Sequence, residues 1–445
     1  MTSASPHPLD IAIVGSGPSA FFCADYLSRL AQPCRIGLFE RWPSPYGLVR
    51  GAIAPDHMHI RRVTRAFERI ACKPGISYFG NVDVGSDIAI DELAGMFHVV
   101  VLATGAQRSR MPAIPGMDLS NCYGAADLAG WYNGRPDCVV MQPNLTGNAA
   151  VIIGAGNVAL DMARMLSWPR ESLAATDISS KALDCLAQSA LRDIHVVARR
   201  GPLDARFTPQ ELELLKDIPH SAVIIHENEA FSALCATSED EELLLRVYRA
   251  MHAKEDACEA ARRRIHLHFH MQPQAVMGDA QATGVLFYDA YGAPVHIPAE
   301  MVIAAIGQTG EAIPGLPFDD DAGTIPHCAG RILQDGQPLP GFYVAGWIKR
   351  GASGVIGMNK PDCRETVQSI LDDRATLTAN ARRGADRVGE LLKQRGVRVV
   401  RFEEWKLLDR AEQRNGAALG KAREPFCSVE AMLSALEDDH VSLRP

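Results

Sequence analysis

Ile11-Ala-Ile-Val14-Gly15-Ser-Gly17-Pro-Ser19-Ala20 decides the fold of this chain. Its first four residues are a short apolar, β-branched run of the kind that forms a buried parallel strand. A GxGxxA turn follows, and Phe21–Leu30 then reads as a helix. Gly15 permits the tight turn, Gly17 lets backbone approach a pyrophosphate, and the small Ala20 lets helix and strand pack closely. The first turn of that helix offers free N–H groups and a partial positive charge to phosphates.

Outward from this turn, Arg35–Phe39 reads as a second strand. Glu40 ends it about 25 residues after Gly15, where an acidic side chain accepts hydrogen bonds from an adenosine ribose. A carboxylate repels a 2′-phosphate, so this first site is expected to hold FAD or NAD and to reject NADP.

The pattern recurs. Val151-Ile-Ile-Gly154-Ala155-Gly156-Asn157-Val158-Ala159 is again strand and GxGxxA turn, with a helix through Leu166. The matching second strand, Ile194–Ala198, ends in Arg199-Arg200 instead of an acid. A guanidinium clasps a phosphate dianion in a planar fork, and each such charge-assisted bond is worth roughly 1.5–3 kcal/mol. The second site is therefore expected to choose NADP(H). Two dinucleotide modules of opposite charge in one chain point to hydride transfer between FAD and NADP(H).

Val99-Val-Val-Leu-Ala-Thr-Gly105 reads as the exit strand of the first module and Met301-Val-Ile-Ala-Ala-Ile-Gly307 as that of the second, so the second is inserted into the first. The expected fold class is α/β of the glutathione-reductase type, with two Rossmann-like domains. An FAD domain is expected over 1–106 and 332–445, and an NADP domain over 107–331. Within 332–445, Gly341–Trp347 is another strand, and the glycine-rich Gly354-Val355-Ile356 opens a helix to about Asp372 whose N-terminus faces the flavin. The tail from Asp373 to Pro445 reads as helical and polar, with no chemistry of its own.

Composition excludes several classes. The 445 residues are 47% hydrophobic, enough for two or three domains, and a formal charge of −8 gives no global attraction to nucleic acid or membrane. The longest apolar runs are strand-sized, and Met1–Asp10 lacks the pattern of a secretory signal, so a cytoplasmic protein is expected. Eleven scattered cysteines contain no CxxC or CxxxxC pair, which argues against a disulfide reductase and suits a reducing compartment. No metal site is expected. A flavin monooxygenase and a non-enzymatic NADP(H) sensor are the competing readings.

Several motifs are those of a known family. Gly15–Ala20, Tyr46-Gly-Leu-Val-Arg50, Ala54-Pro-Asp-His57, Gly80-Asn-Val82, Gly154–Asp161, Arg199-Arg-Gly-Pro-Leu203 and Gly346-Trp-Ile-Lys-Arg-Gly-Ala-Ser-Gly-Val-Ile-Gly357 resemble the adrenodoxin-reductase type of ferredoxin–NADP(+) reductase, its bacterial members above all. The resemblance spans nearly the whole chain. It implies bound FAD that passes electrons singly between NADPH and an iron–sulfur ferredoxin. It assigns Ser19, Glu40, Leu48, Val84, Trp347, Gly354, Val355 and Ile356 to FAD. To NADP(H) it assigns Arg110, Ala155, Gly156, Asn157, Val158, Arg199, Arg200, Glu211 and Gly354.

The resemblance also sets His57 beside the flavin, coupled to a carboxylate of the NADP domain, and gives His57 and Glu211 the catalytic positions. The bacterial pattern ELxEL is altered here to Glu211-Leu-Glu-Leu-Leu215, so Leu214 stands where the usual partner of His57 would be. Met58 and Met358 replace a usual proline and threonine. For ferredoxin, Arg61, Arg65 and Arg69 fall at i, i+4, i+8 on one expected helix face; with Arg62, Lys349 and Arg350 they form a candidate basic docking stripe.

Overall fold

A computed structural model describes residues 8–30, 33–226, 234–252, 261–377, 382 and 384–442. Two parallel sheets organise it. The first runs His327–Cys328, Arg331–Gln334, Gln337–Val344, Val99–Leu102, Leu9–Val14, Cys34–Glu40, Ile76–Gly80. Its last five strands are parallel, and the other two are an antiparallel edge. The second runs Cys122–Gly124, Met301–Ala304, Ala149–Ile153, Asp193–Val197, Arg263–His268, Ser221–His226 and is parallel throughout. All strands of the second lie in sequence between the two groups that build the first, so one α/β module interrupts the other.

Each module opens on the same close approach. Gly15 has φ +105°, and a Cβ there would lie 2.4 Å from the carbonyl oxygen of Ala103. Gly154 has φ +132°, and its Cβ would lie 2.3 Å from the oxygen of Ala305. Only glycine can press a nucleotide turn this tightly against the neighbouring strand. The first helix, Pro18–Ser28, starts three residues earlier than the sequence suggested, because a proline suits the first helical position.

Strand Leu9–Val14 is fully buried between two apolar layers. On the second sheet, Val151, Ile153, Val197 and Val302 pack against a three-stranded antiparallel sheet, Gln272–Gly278, Ala282–Tyr288 and Pro294–Pro298. Where the chain crosses between modules, Arg108–Ser109 and Gln308–Thr309 pair antiparallel.

Two expectations are corrected here. The helix after the glycine-rich loop is Asn359–Leu377, preceded by a 3₁₀ turn at Ile356–Met358, so it opens beyond Gly354. The tail is not merely a polar appendage. Its helices Phe402–Ala418 and Val429–Ser442 place Trp405, Leu408, Met432 and Leu436 in the same core cluster as Ile11 and Phe21. Each such buried side chain contributes about 1.5–3 kcal/mol. Buried Glu412 also accepts from Arg50 and from Arg423, tying the tail to the short helix Leu48–Gly51 that follows the second strand.

Candidate functional site

A cavity of about 430 Å³ lies over the carboxyl ends of the first sheet and reaches the second module. Ligands collect at this edge in open α/β sheets. Gly15, Gly17, Ser19, Glu40, Leu48, Val84, Trp347 and Ile356 all line it, with Val158 and Asp161 arriving from the second module. Eight residues expected at FAD are thus brought together. Gly354 and Val355 are not among them: both are exposed, Val355 to 68%. The loop that carries them is held by Ser353, whose carbonyl accepts from Trp347 Nε1 at 3.1 Å and from Arg350 at 2.7 Å.

The lining fits a dinucleotide. At Gly17 an added Cβ would meet nothing within 4 Å, so the turn faces open space. Thr104 Oγ1, buried on the cavity wall, has no hydrogen-bond partner among the described residues. Glu40 Oε2 accepts from Ser16 Oγ at 2.6 Å and Ser16 N at 3.2 Å, and Oε1 accepts from Trp42 N at 3.3 Å. Burial pushes the Glu40 carboxyl above its ordinary range, and these donors and Arg41 pull it back. The carboxylate is thereby fixed where the second strand ends.

In the second module Gly156 likewise faces open space. Asn157 Oδ1 accepts from Thr208 N at 2.8 Å, and Ala155 O from Arg206 N at 2.8 Å, closing a short loop beside the turn. Arg199 and Arg200 are exposed at the strand end, and no side-chain partner holds either among the described residues. Arg110 is exposed too, its guanidinium donating to the carbonyls of Asp321 and Ala322.

Between the modules sits the most charged part of the site. Arg164, fully buried, lies 2.5 Å from Asp56, 2.5 Å from Asp161 and 3.4 Å from Glu211. Its guanidinium also meets His57 Nε2 at 2.5 Å. A guanidinium only donates, so that nitrogen accepts and the ring carries its proton on Nδ1. Burial works against the charge of Arg164, but Asp161, Asp56 and Glu211 outweigh it and raise its pKa further. Burial pushes Asp161 up to about 6, partly offset by Arg164 and His57.

The altered ELEL spacing therefore does not leave His57 alone. Glu211 lies 3.5 Å from His57 Nε2, whereas Glu213 points outward to Lys216. Sequence reasoning missed Arg164, whose signal was the one basic residue of helix Asn157–Ser167, three positions after Asp161. His57, Asp161 and Glu211 are close enough to bind a metal, but in this structure the Arg164 guanidinium already contacts all three.

Two docking residues are corrected. Arg61 ends one short helix, Met58–Arg61, while Arg65 and Arg69 belong to another, Thr64–Ala71. Arg61 turns inward to Asp177, Asn133 and the carbonyl of Ile53. Lys349 is only 4% exposed and is held by Asp362 and Glu365. Arg62, Arg65 and Arg69 remain exposed.

Comparison with known proteins agrees with this geometry. Mitochondrial NADPH:adrenodoxin oxidoreductase of Arabidopsis thaliana is 35% identical, over 98% of this chain and 96% of its own. NADPH-ferredoxin reductase FprA of Mycobacterium tuberculosis is 36% identical, over 96% of this chain and 99% of its own. The chain belongs to the adrenodoxin-reductase type of ferredoxin–NADP(+) reductase. The solved structure of Mycobacterium tuberculosis FprA in complex with NADPH matches with a TM-score of 0.91 at 35% identity, covering 97% of this chain and 100% of that one. Residues 9–213 also match the broader family described as pyridine nucleotide-disulphide oxidoreductase. Disulfide chemistry does not follow from that wider match, because the sequence contains no closely spaced cysteine pair.

Proposed function

We propose that this chain moves electrons from NADPH to an iron–sulfur ferredoxin through bound FAD, as a ferredoxin–NADP(+) oxidoreductase. One observation carries the reading. A buried carboxylate, Glu40, closes one nucleotide turn, and two exposed guanidiniums, Arg199 and Arg200, with no side-chain partner among the described residues, close the other. Relatives named for NADPH and for ferredoxin or adrenodoxin support it.

FAD, when bound, supplies the exchange of one hydride for two single electrons. The protein's own groups do the rest. N–H groups after Gly17 and Gly156 face the two pyrophosphates. Glu40 receives the ribose hydroxyls of one nucleotide, and Arg199 with Arg200 clasps the 2′-phosphate of the other. Arg164 bridges Asp56 of the first module to Asp161 and Glu211 of the second, a charged tie between the two modules.

The FAD domain is proposed as 1–106 with 332–445 and the NADP domain as 107–331; the two sheets support the insertion but set its end earlier, because His327–Cys328 and Arg331 already pair in the first sheet. Exposed Arg62 and Arg65, with half-buried Arg350, are the proposed contacts for an acidic ferredoxin. No helix among the described residues is long and apolar enough to cross a membrane. Ten free cysteines among those residues support work in the reducing cytoplasm.

The test is direct. Purified protein should be yellow, release FAD on denaturation, and reduce cytochrome c with NADPH only when ferredoxin is added. Colourless protein that stays so after FAD addition would favour a nucleotide sensor. NADPH oxidation that requires an organic substrate and no ferredoxin would favour a monooxygenase.

A further inference from the structure

The outer strands of the second sheet carry a group of histidines that the reductase chemistry does not use. Strand Arg263–His268 lies between Asp193–Val197 and Ser221–His226. Along it Ile265 and Leu267 join the apolar core shared with the helix Glu239–His252, so His266 and His268 point to the opposite face. Register sets His266 opposite His195 on one side and His268 opposite His226 on the other. The ring centroids are 4.4 Å apart in the first pair and 4.2 Å in the second.

We propose that this face is a transition-metal site, with Zn²⁺ the best-fitting ion, bound by imidazole nitrogens of His195, His266 and His268 and completed by His226. One coordinating nitrogen from each of the first three lies within 4.8 Å of the others. His195 Nδ1 is 3.0 Å from His268 Nε2, and His226 Nε2 is 2.9 Å from His266 Nδ1. Tetrahedral Zn–N bonds of about 2.0–2.1 Å hold ligand nitrogens about 3.4 Å apart, close to these spacings; binding turns the rings out of their stacked planes, which are 2° apart for His226 and His268.

Asp193 strengthens the assignment. Its Oδ1 lies 2.9 Å from His266 Nε2, on the ring atom away from the other imidazoles. A carboxylate on the far nitrogen fixes the tautomer and turns the remaining lone pair toward the metal. Partly burying His195, His266 and His268 where valine or phenylalanine would serve costs desolvation that a bound ion returns. None of the four lines the nucleotide cavity.

Tag-free, chelator-treated holoprotein is titrated with Zn²⁺ by calorimetry and with Co²⁺ by visible absorption. One equivalent of Zn²⁺ should bind with roughly micromolar affinity or tighter, and Co²⁺ should give the absorption of a tetrahedral nitrogen-ligated ion. His266→Phe and His268→Phe should each weaken binding at least tenfold, and Asp193→Asn by about tenfold. His296→Gln, on the three-stranded sheet, should leave it unchanged. Retained flavin and unchanged NADPH oxidation with an artificial acceptor verify that each variant is folded. The proposal is overturned if wild-type protein takes up no stoichiometric Zn²⁺ at about 100 µM. It is equally overturned if folded His266→Phe and His268→Phe bind as tightly as wild type, or if Co²⁺ stays octahedral.

Discussion

Arg164→Leu tests whether the cluster between the modules is held by charge. The guanidinium has no exposed surface and contacts Asp56, Asp161 and Glu211, so leucine leaves three carboxylates facing one another. Removing one member of a buried ion pair costs about 3–5 kcal/mol. For a cooperative unit of about 445 residues each kcal/mol lowers the midpoint by about 1 °C, so a fall of about 3–5 °C is expected at neutral pH.

The pH dependence is sharper. Asp161 already sits at about 6 in the folded protein, above its unfolded value, with burial the main cause and Arg164 opposing it. A carboxyl raised from about 4 to about 6 costs about 3 kcal/mol when ionised. Because its folded pKa is the higher, the associated stability is present below the unfolded value and is lost as pH rises through the folded one. Losing Arg164 raises that folded pKa further. The deficit of Arg164→Leu relative to wild type should therefore be small near pH 5 and full at pH 8. Calorimetric melting of holoprotein at both pH values measures it. An equal deficit at both, or a larger one at pH 5, refutes charge neutralisation as the role of Arg164.

Arg199→Ala and Arg200→Ala should each raise KM for NADPH about ten- to a hundredfold and leave KM for NADH nearly unchanged, as steady-state kinetics with both nucleotides would show; equal losses would contradict the 2′-phosphate assignment. Charge reversal at Arg62 and Arg65 should slow ferredoxin reduction and flatten its salt dependence in stopped-flow traces. Arg61→Glu should instead lower the melting temperature, because that side chain holds Asp177 and Asn133. Trp405→Ala should destabilise the protein by about 3–5 kcal/mol in denaturant titrations, whereas a peripheral tail would tolerate it.

What the sequence made legible were positions where backbone geometry or strand ends restrict residue type. Gly15 and Gly154 could be read because only glycine survives that close approach, and Glu40 and Arg199-Arg200 because each follows its module's second strand. Relations set by tertiary packing were not legible. Counting along Glu211–Leu215 left the carboxylate partner of His57 in doubt, since spacing alone does not show that Glu211 reaches within 3.5 Å of the ring. Arg164 answers to Asp56, 108 residues away. Arg61 and Lys349 read as surface charge because their acidic partners lie elsewhere in the chain. The tail read as polar because its few large apolar residues are spread over two helices that fold back on the first core.

The antiparallel pairing of Arg108–Ser109 with Gln308–Thr309 has a mechanical consequence. A single covalent thread would let one module swivel about it like a ball joint. Two laced threads resist torsion and leave bending as the easy motion, like a door on a strap hinge. Gly105, Gly307 and the glycine contacts at Ala103 and Ala305 lie immediately beside this hinge. Opening the door thus tugs on both phosphate-facing turns together, and a nucleotide seated in one turn resists movement felt at the other.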